Sequence, residues 1–224
     1  MWESALKHLK EGDCFAAIAF LNSGPEPRVT LEAYGKLVGH LYWQDKDVAR
    51  ALCLGAAAIS FANARAVDGA MALDLRSSAK AMAFNLASFT WPGWDEPGIR
   101  LDGTTAALGM EAARYNLRLA QELYKGDLPR ARAYWMLGAH QLAAGAFREA
   151  GANFATSAEF AARAEARDEE LVAIGYVALA ALIQGEVGAR ARLDEVKTEL
   201  GPCANGPFFV EQLATAERVF SGRD

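Results

Sequence analysis

The chain has 224 residues, of which 52% are hydrophobic and 23% are charged. This composition excludes intrinsic disorder, and the length is ample for a sizeable core. The 23 basic and 28 acidic residues give a net charge of −5, which lacks the basic surface expected of a protein that binds nucleic acid or an anionic membrane.

The opening segment and the longest uncharged runs predict a protein without membrane segments. The start, MWESALKHLKEGD, has no apolar stretch of signal-peptide length. The uncharged runs over 51–64, 133–147 and 171–184 are shorter than the roughly 20 residues of a membrane span, so we expect buried helices there. Abundant alanine also favours packed helices over sheets. With a bacterial-like Ala-, Gly- and Arg-rich composition, the sequence predicts a cytoplasmic protein.

The three cysteines are Cys14, Cys53 and Cys203, an odd number without a C-x-x-C pair. Their spacing argues against a disulfide framework and against a zinc site. Because Cys14 and Cys53 fall in alanine-rich predicted helices, we expect buried, reduced thiols that contribute to packing.

The predicted elements are helices throughout. A short leading helix and a second helix open the chain, and Gly24, Pro25 and Pro27 then interrupt it. Asp102 or Thr104 is the candidate N-cap of the helix that begins at 104, because the side-chain oxygen of either residue accepts hydrogen bonds from free N–H groups. Further helices are predicted over 29–43, 46–65, 68–89, 104–124, 128–144, 147–167, 168–184 and 188–200.

A last helix follows a loop that is rich in glycine and proline at 201–207. Its apolar residues recur at helical spacing, and we expect them to bury against the preceding helices as a terminal cap. These residues are Phe209, Leu213, Ala216 and Phe220.

Pairs of small residues recur at a separation of twelve positions. This spacing suits two antiparallel helices that cross closely, and Gly145 is the predicted turn within the last pair. The first two pairs lie 34 residues apart, and the next step is 99 residues, close to three repeats. The pairs are Ala5 with Ala17, Gly39 with Ala51, and Gly138 with Ala150.

The segment 134–160, YWMLGAHQLAAGAFREAGANFATSAEF, resembles a tetratricopeptide (TPR) repeat, as do KEGDCFAAIAFL at 10–21 and LYWQDKDVARAL at 41–52. The family repeat is about 34 residues long. The resemblance implies a single all-α domain over 1–224, a right-handed TPR-like solenoid of about five helical hairpins with a C-terminal capping helix. The third unit departs from the family because a long loop at 90–103 joins its helices.

In this family the first helix of each unit lines a concave groove, where an extended peptide or a partner helix binds. The resemblance therefore implies a protein or peptide partner, and packing between repeats is the alternative role for Trp43 and Trp135. Some family members clamp a terminal carboxylate with Lys and Asn one turn apart, whereas here His40 follows Lys36. The groove-facing candidates are Trp2, Lys36, His40, Trp43, Gln44, Arg132 and Trp135.

The loop TWPGWDEPGIRLDG at 90–103 is the most unusual stretch. Trp91 and Trp94 flank a turn, and the acids Asp95 and Glu96 follow. Either the tryptophans fold back as a plug over the core, or the loop forms a binding lip. We expect an ordered loop with at least one tryptophan buried against the helix at 68–89.

Catalytic and cofactor-binding motifs are absent from the sequence, with no H-E-x-x-H, G-x-S-x-G, Walker A or dinucleotide fingerprint. The prediction is a non-enzymatic module that binds a protein or peptide, with no catalytic residues, cofactor or metal. A small-ligand sensor with a pocket near Trp91 and Trp94 is the first alternative, and an enzyme whose residues meet only in three dimensions is the second. Homo-oligomerisation stays open.

Overall fold

The computed structural model describes residues 1–67 and 69–222. Over these residues the chain forms eleven α-helices, one short 3-10 helix and no strand. The predicted all-α class is therefore confirmed. None of the described helices is long and apolar enough to cross a bilayer.

The helix bounds agree with the predicted ones to within a few residues, apart from the end of the helix predicted over 147–167. That helix ends at Arg163, and Glu165 then adopts a left-handed backbone with φ of 57°. The start predicted at Asp68 lies outside the described residues. The helices are α1 (Trp2–Glu11), α2 (Cys14–Asn22), α3 (Pro27–Trp43), α4 (Val48–Arg65), α5 (Ala70–Phe89), the 3-10 helix (Pro92–Trp94), α6 (Gly103–Glu122), α7 (Asp127–Ala143), α8 (Phe147–Arg163), α9 (Arg167–Ile183), α10 (Ala189–Leu200) and α11 (Gly206–Ser221).

Aspartates fix the starts of several helices. Asp13 accepts a hydrogen bond from the Ala16 N–H at 2.9 Å at the start of α2. Asp102 accepts one from the Thr105 N–H at 2.7 Å at the start of α6, so Asp102 is the N-cap. These bonds satisfy N–H groups that have no partner within the helix, which explains why the helices begin where they do.

The chain divides into two compact units. The first comprises Met1–Thr90 and Gly98–Leu119, and the second comprises Trp91–Pro97 and Ala120–Asp224, of which the last two residues lie outside the described part. In the first unit α1 packs on α2, α3 on α4, and α4 on α5. In the second unit α7, α8, α9 and α10 pack in sequence, and α11 packs on α9 and α10. A single domain over 1–224 stays a prediction.

The predicted close crossing at Gly138 is present between α7 and α8. A Cβ built at Gly138 would lie 2.9 Å from Phe154 Cδ1 and 3.2 Å from the Ala150 carbonyl oxygen. The turn between the two helices contains Gly145 with φ of +77°, a conformation that favours glycine.

The corresponding crossing predicted at Gly39 and Ala51 is wrong. A Cβ built at Gly39 would meet no atom within 4 Å, so Gly39 borders open space rather than a neighbouring helix. The close approach in this unit occurs instead at Gly55 of α4, where an added Cβ would lie 2.5 Å from Leu86 Cδ2 of α5. The twelve-residue spacing alone does not tell which side of the helix a small residue occupies.

These two glycines lead to opposite expected effects of alanine on stability. Gly39→Ala adds a methyl group in open space and improves helix propensity, so we expect the free energy of unfolding to rise by about 0.5–1 kcal/mol. Gly138→Ala forces Phe154 to move and should lower it by about 1–3 kcal/mol. Urea unfolding followed by circular dichroism tests both, and equal effects of the two changes would contradict the assignment of open and closed surfaces.

The prediction of buried cysteines is wrong for Cys53, whose side chain is exposed, while Cys14 and Cys203 are half-buried. On α4 the residues Ala49, Cys53 and Ala56 lie at helical spacing on an exposed stripe. Alanine occupies both faces of this helix, so its sequence does not distinguish the buried face. Burial and the neighbouring Cys53 thiol raise the pKa of Cys14 to about 11, which keeps the Cys14 thiol protonated at neutral pH.

Candidate functional site

A depression of about 460 Å³ on the first unit brings together five of the residues predicted to face a partner. One of them lies on α1, three lie on α3, and one follows the end of α3. The lining residues are Trp2, Lys36, Gly39, His40, Trp43 and Gln44, and from here on we call this surface the aromatic–basic depression.

Helical spacing explains why α3 contributes most of this surface. Lys36, His40 and Trp43 lie three or four positions apart, so they share one face of the helix. The opposite face carries Tyr34, Leu37, Val38 and Leu41, all buried in the first unit. From α1, the Trp2 ring lies 5.6 Å from the His40 ring between centroids, and these two side chains form one side of the depression.

Trp43 presents its indole to solvent in a fixed orientation. The side chain is 54% exposed, although its ring makes edge contacts with Tyr42 at 4.7 Å and Phe89 at 6.1 Å. The Lys46 ammonium lies 5.7 Å from the centre of the ring. An indole held by neighbouring rings loses little side-chain entropy on binding, which suits it to contact an apolar group of a partner.

The electrostatic character of the depression comes from Lys36 and His40. In the described part of the chain the Lys36 ammonium makes no ion pair or hydrogen bond. His40 Nε2 lies 3.6 Å from Asp45 Oδ1, so a carboxylate already neighbours the imidazole at the edge. The Lys36 ammonium is therefore the group available to a negatively charged partner.

Gly39 forms the floor of the depression. Helical spacing in the sequence places Gly39 on the same face as Lys36 and Trp43 but does not predict it as a partner-binding residue. The absence of a side chain leaves open space above the α3 backbone between Lys36 and Trp43. In the sequence, the spacing of positions 36, 39 and 43 indicates that a small residue lies between a basic and an aromatic residue on the same face of the helix.

The other two predicted groove residues, Arg132 and Trp135, lie on α7 in the second unit. The Arg132 guanidinium is engaged, since its Nε donates to Glu169 Oε1 at 2.8 Å and this bond raises the pKa of Arg132. Trp135 is half-buried, with its ring 5.2 Å from that of Tyr176. In this unit the Trp135 ring packs between helices, the alternative role considered for it, and the exposed Arg132 side chain pairs with Glu169 of α9.

Trp91 is buried, as the plug alternative for the loop predicts. Its side chain is 1% exposed, and its indole N–H donates to the Ala139 carbonyl oxygen at 2.9 Å. The rings around it belong to Trp135 on α7, Tyr176 on α9 and Phe220 on α11. The expectation that a loop tryptophan packs against the helix at 68–89 is therefore corrected: Trp91 finds its hydrogen-bond acceptor and its aromatic neighbours on helices of the second unit.

The remaining loop candidates surround this plug. Trp94 is half-buried, with its ring 4.9 Å from that of Trp91. Asp95 is exposed, accepts a hydrogen bond from Arg218 at 2.9 Å, and adopts φ of 50°, a conformation that aspartate tolerates better than most residues. Glu96 is half-buried. The two indoles pack on each other, so we do not place a ligand pocket between them.

Comparisons with protein-family models, with curated proteins and with solved structures found no match for this chain. Among residues 1–67 and 69–222, no group of three or more His, Cys, Asp or Glu side chains is placed to hold a metal ion. The geometry of the aromatic–basic depression is therefore the feature from which a function can be inferred.

Proposed function

We propose that the protein is an interaction module whose aromatic–basic depression binds a peptide segment carrying an apolar side chain next to a carboxylate. One observation carries the proposal: the half-exposed Trp43 indole and the unpaired Lys36 ammonium flank the open backbone of Gly39 in a single depression. A partner side chain that stacks on the indole places a neighbouring carboxylate beside the ammonium.

The two contacts differ in strength. An exposed ammonium–carboxylate pair contributes only about 0–1 kcal/mol, so Lys36 mainly selects an acidic partner. The apolar contact with Trp43 contributes more, because aromatic anchors at interfaces commonly account for about 2 kcal/mol or more. Trp43 is thus the anchor and Lys36 the determinant of specificity.

The proposal includes the TPR-like arrangement that the sequence resemblance implies. Four pairs of helices that follow each other in sequence also pack on each other, which supports the interpretation of each pair as a helical hairpin. These pairs are α1 with α2, α3 with α4, α7 with α8, and α9 with α10. The aromatic–basic depression lies on α1 and α3, the first helices of two successive pairs, and this is where the resemblance places a groove. We also propose a non-enzymatic, cytoplasmic role, which follows the sequence predictions from motifs and composition.

Selection from a displayed library of random peptides tests this proposal. We expect enriched peptides to share an aromatic or large aliphatic residue adjacent to Asp or Glu. Selection against the Trp43→Ala protein, which lacks the anchor, should not enrich that pattern. Failure to enrich any peptide, or the same pattern enriched by both proteins, would contradict the proposal.

The contribution of Lys36 is measured with the best enriched peptide. Lys36→Ala should weaken binding about two- to fivefold, the value of one exposed ion pair, and leave the melting temperature nearly unchanged. Lys10→Ala, at an exposed position of α1, is the matched control and should leave binding unaltered. His40→Ala should also weaken binding, because it removes the ring beside Trp2. Unchanged binding in both Lys36→Ala and His40→Ala would place the peptide on another surface.

A further inference from the structure

A second and larger cavity lies elsewhere in the first unit and shares no lining residue with the aromatic–basic depression. Its volume is about 620 Å³, within the range of small-molecule sites. Leu52 and Ile59 of α4 and Leu108 of α6 supply apolar walls, and Leu86 of α5 closes one side. Leu108 is 50% exposed, so the cavity leaves a large apolar side chain uncovered.

The cavity is elongated along α4 and α6. Ala49 and Thr105 line one end, and Asn63 and Tyr115 line the other. Asn63 Nδ2 donates a hydrogen bond to the Tyr115 hydroxyl at 2.7 Å, which joins the two helices at that end. With a rise of 1.5 Å per residue, the stretch of α4 from Ala49 to Asn63 is about 20 Å long. We call this cavity the α4–α6 channel.

The dimensions favour a thin ligand over a helix. An α-helix is about 10 Å wide, so only part of a helix would lie within the roughly 620 Å³ of the α4–α6 channel. A single unbranched hydrocarbon chain is narrow enough to lie along the channel and to cover Leu108, which removes apolar surface from water.

The end of the channel that Ala49 and Thr105 line adjoins a polar depression of about 600 Å³, which shares Ala49, Asp102 and Thr105 with the channel. Arg100 lies in this depression, and in the described residues its guanidinium has no ion-pair or hydrogen-bond partner. Lys46 adds a second positive charge there.

Three carboxylates also line the polar depression, and each is already engaged. Asp102 accepts from the Thr105 N–H at 2.7 Å. Asp47 accepts from the Arg50 N–H at 2.9 Å and pairs with the Arg50 guanidinium at 3.4 Å, and Asp45 lies 3.6 Å from His40 Nε2. Among the described residues the Arg100 guanidinium is the charged group of this depression without a partner, so an anionic head group can pair with it directly. Asp102 and Asp45 keep their negative charges, which confines this favourable contact to the side of Arg100.

We propose that the α4–α6 channel binds an unbranched fatty acid, with its hydrocarbon chain along the channel and its carboxylate beside Arg100. The proposal does not rest on the peptide site, because the α4–α6 channel and the aromatic–basic depression share no lining residue. The two sites are neighbours at the head-group end, where the Lys46 ammonium lies 5.7 Å from the centre of the Trp43 ring and Asp45 Oδ1 lies 3.6 Å from His40 Nε2. Fatty-acid binding and peptide binding are therefore measured separately.

A chain-length series tests the hydrocarbon part. Calorimetric titration of the full chain with decanoate, dodecanoate and tetradecanoate, each below its micelle concentration, should give saturable binding with one site. Each pair of added methylenes should tighten the Kd by up to about fifteenfold, since each buried methylene contributes about 0.8 kcal/mol. The absence of saturable binding, or a Kd independent of chain length, would overturn the proposal.

Two measurements locate the ligand. Cys53 is exposed and lines the channel, so saturating tetradecanoate should slow its alkylation by iodoacetamide at least fivefold, while Cys203 of the second unit keeps its rate. Ala56→Trp fills the channel from an exposed position and should abolish binding. Ala64→Trp, at an exposed position of α4 outside the lining, is the control and should bind normally. Binding that leaves Cys53 reactive, or that survives Ala56→Trp, would overturn the assignment to this channel.

Two comparisons test the position of the carboxylate head group, one with a changed protein and one with a changed ligand. Arg100→Gln should weaken tetradecanoate binding about two- to fivefold, and methyl tetradecanoate should bind the unaltered protein more weakly by a similar factor. The Arg100→Gln protein should bind the ester at least as tightly as the acid, because the substitution has already removed the ion pair between Arg100 and the carboxylate. Arg148→Gln on the exposed surface of α8 is the control. An ester that binds the unaltered protein as tightly as the acid would overturn the placement of the carboxylate.

Discussion

Replacing Trp91 with alanine is expected to lower the free energy of unfolding of the second unit by about 3–5 kcal/mol, the usual cost of truncating a large aromatic side chain in a core. The indole is 1% exposed and is surrounded by rings from three helices. Its removal also leaves the Ala139 carbonyl oxygen without the hydrogen bond that the indole donates. Urea unfolding monitored by circular dichroism measures the change.

Two neighbouring substitutions sharpen this prediction. A Cβ built at Gly93 would lie 2.2 Å from the Trp91 indole, so Gly93→Ala should displace the plug and destabilise the same unit by about 1–3 kcal/mol. Trp94 is only half-buried, so Trp94→Ala should cost less than Trp91→Ala. A Trp91→Ala protein that is as stable as Trp94→Ala would contradict the role of Trp91 as the plug.

Deleting residues 207–224 is expected to abolish cooperative unfolding of the second unit, because it removes nearly all of α11. Leu213 and Phe220 are buried, and Leu213 lies so close to α9 that a Cβ at Gly175 would be 2.7 Å from its Cδ1. The deletion uncovers the apolar face of α9, so the truncated protein should aggregate or bind a hydrophobic dye. A monomeric truncated protein with an unchanged melting temperature would contradict this role of α11.

A point substitution in α11 distinguishes the loss of side-chain packing from the effect of shortening the chain. Leu213→Ala should lower the free energy of unfolding by about 2–5 kcal/mol, the range for truncating a buried leucine. Phe208→Ala, at a side chain of the same helix that is 58% exposed, is the control and should change it by less than about 0.5 kcal/mol. Phe209 is half-buried, so its truncation should fall between the two. This order differs from the sequence prediction, in which Phe209 is buried together with Leu213 and Phe220.

The helices could be predicted from the sequence because local signals mark their ends. Proline, glycine and capping aspartates such as Asp102 set the boundaries, and their effects reach only a few residues. Gly138 could be predicted at a close crossing because large residues surround it in the sequence. Lys36, His40 and Trp43 could be placed on a common face because helical spacing alone determines that relation.

The predictions that were wrong all concern contacts between segments that are distant in sequence. Gly39 and Cys53 lie in helices where alanine and glycine occupy more than one face, so hydrophobicity does not identify the buried side. The sequence predicts that at least one of the loop tryptophans, Trp91 and Trp94, packs against the helix at 68–89, whereas Trp91 packs on helices of the second unit. Its acceptor, Ala139, lies 48 positions away, and the sequence carries no local signal for that pairing. The α4–α6 channel escaped prediction for the same reason, because its walls come from three separate helices.

The affinity of an enriched peptide for the Gly39→Leu protein tests the central claim of peptide binding at the aromatic–basic depression most directly. A leucine side chain at this position fills open space above α3 without meeting an atom at its Cβ, so the fold should be kept while the depression is blocked. Gly151→Leu is the matched control, since a Cβ at Gly151 of α8 also meets no atom within 4 Å. We expect Gly39→Leu to weaken the calorimetric Kd at least tenfold and Gly151→Leu to leave it unchanged. Equal affinity of the peptide for both variants would contradict the proposed function.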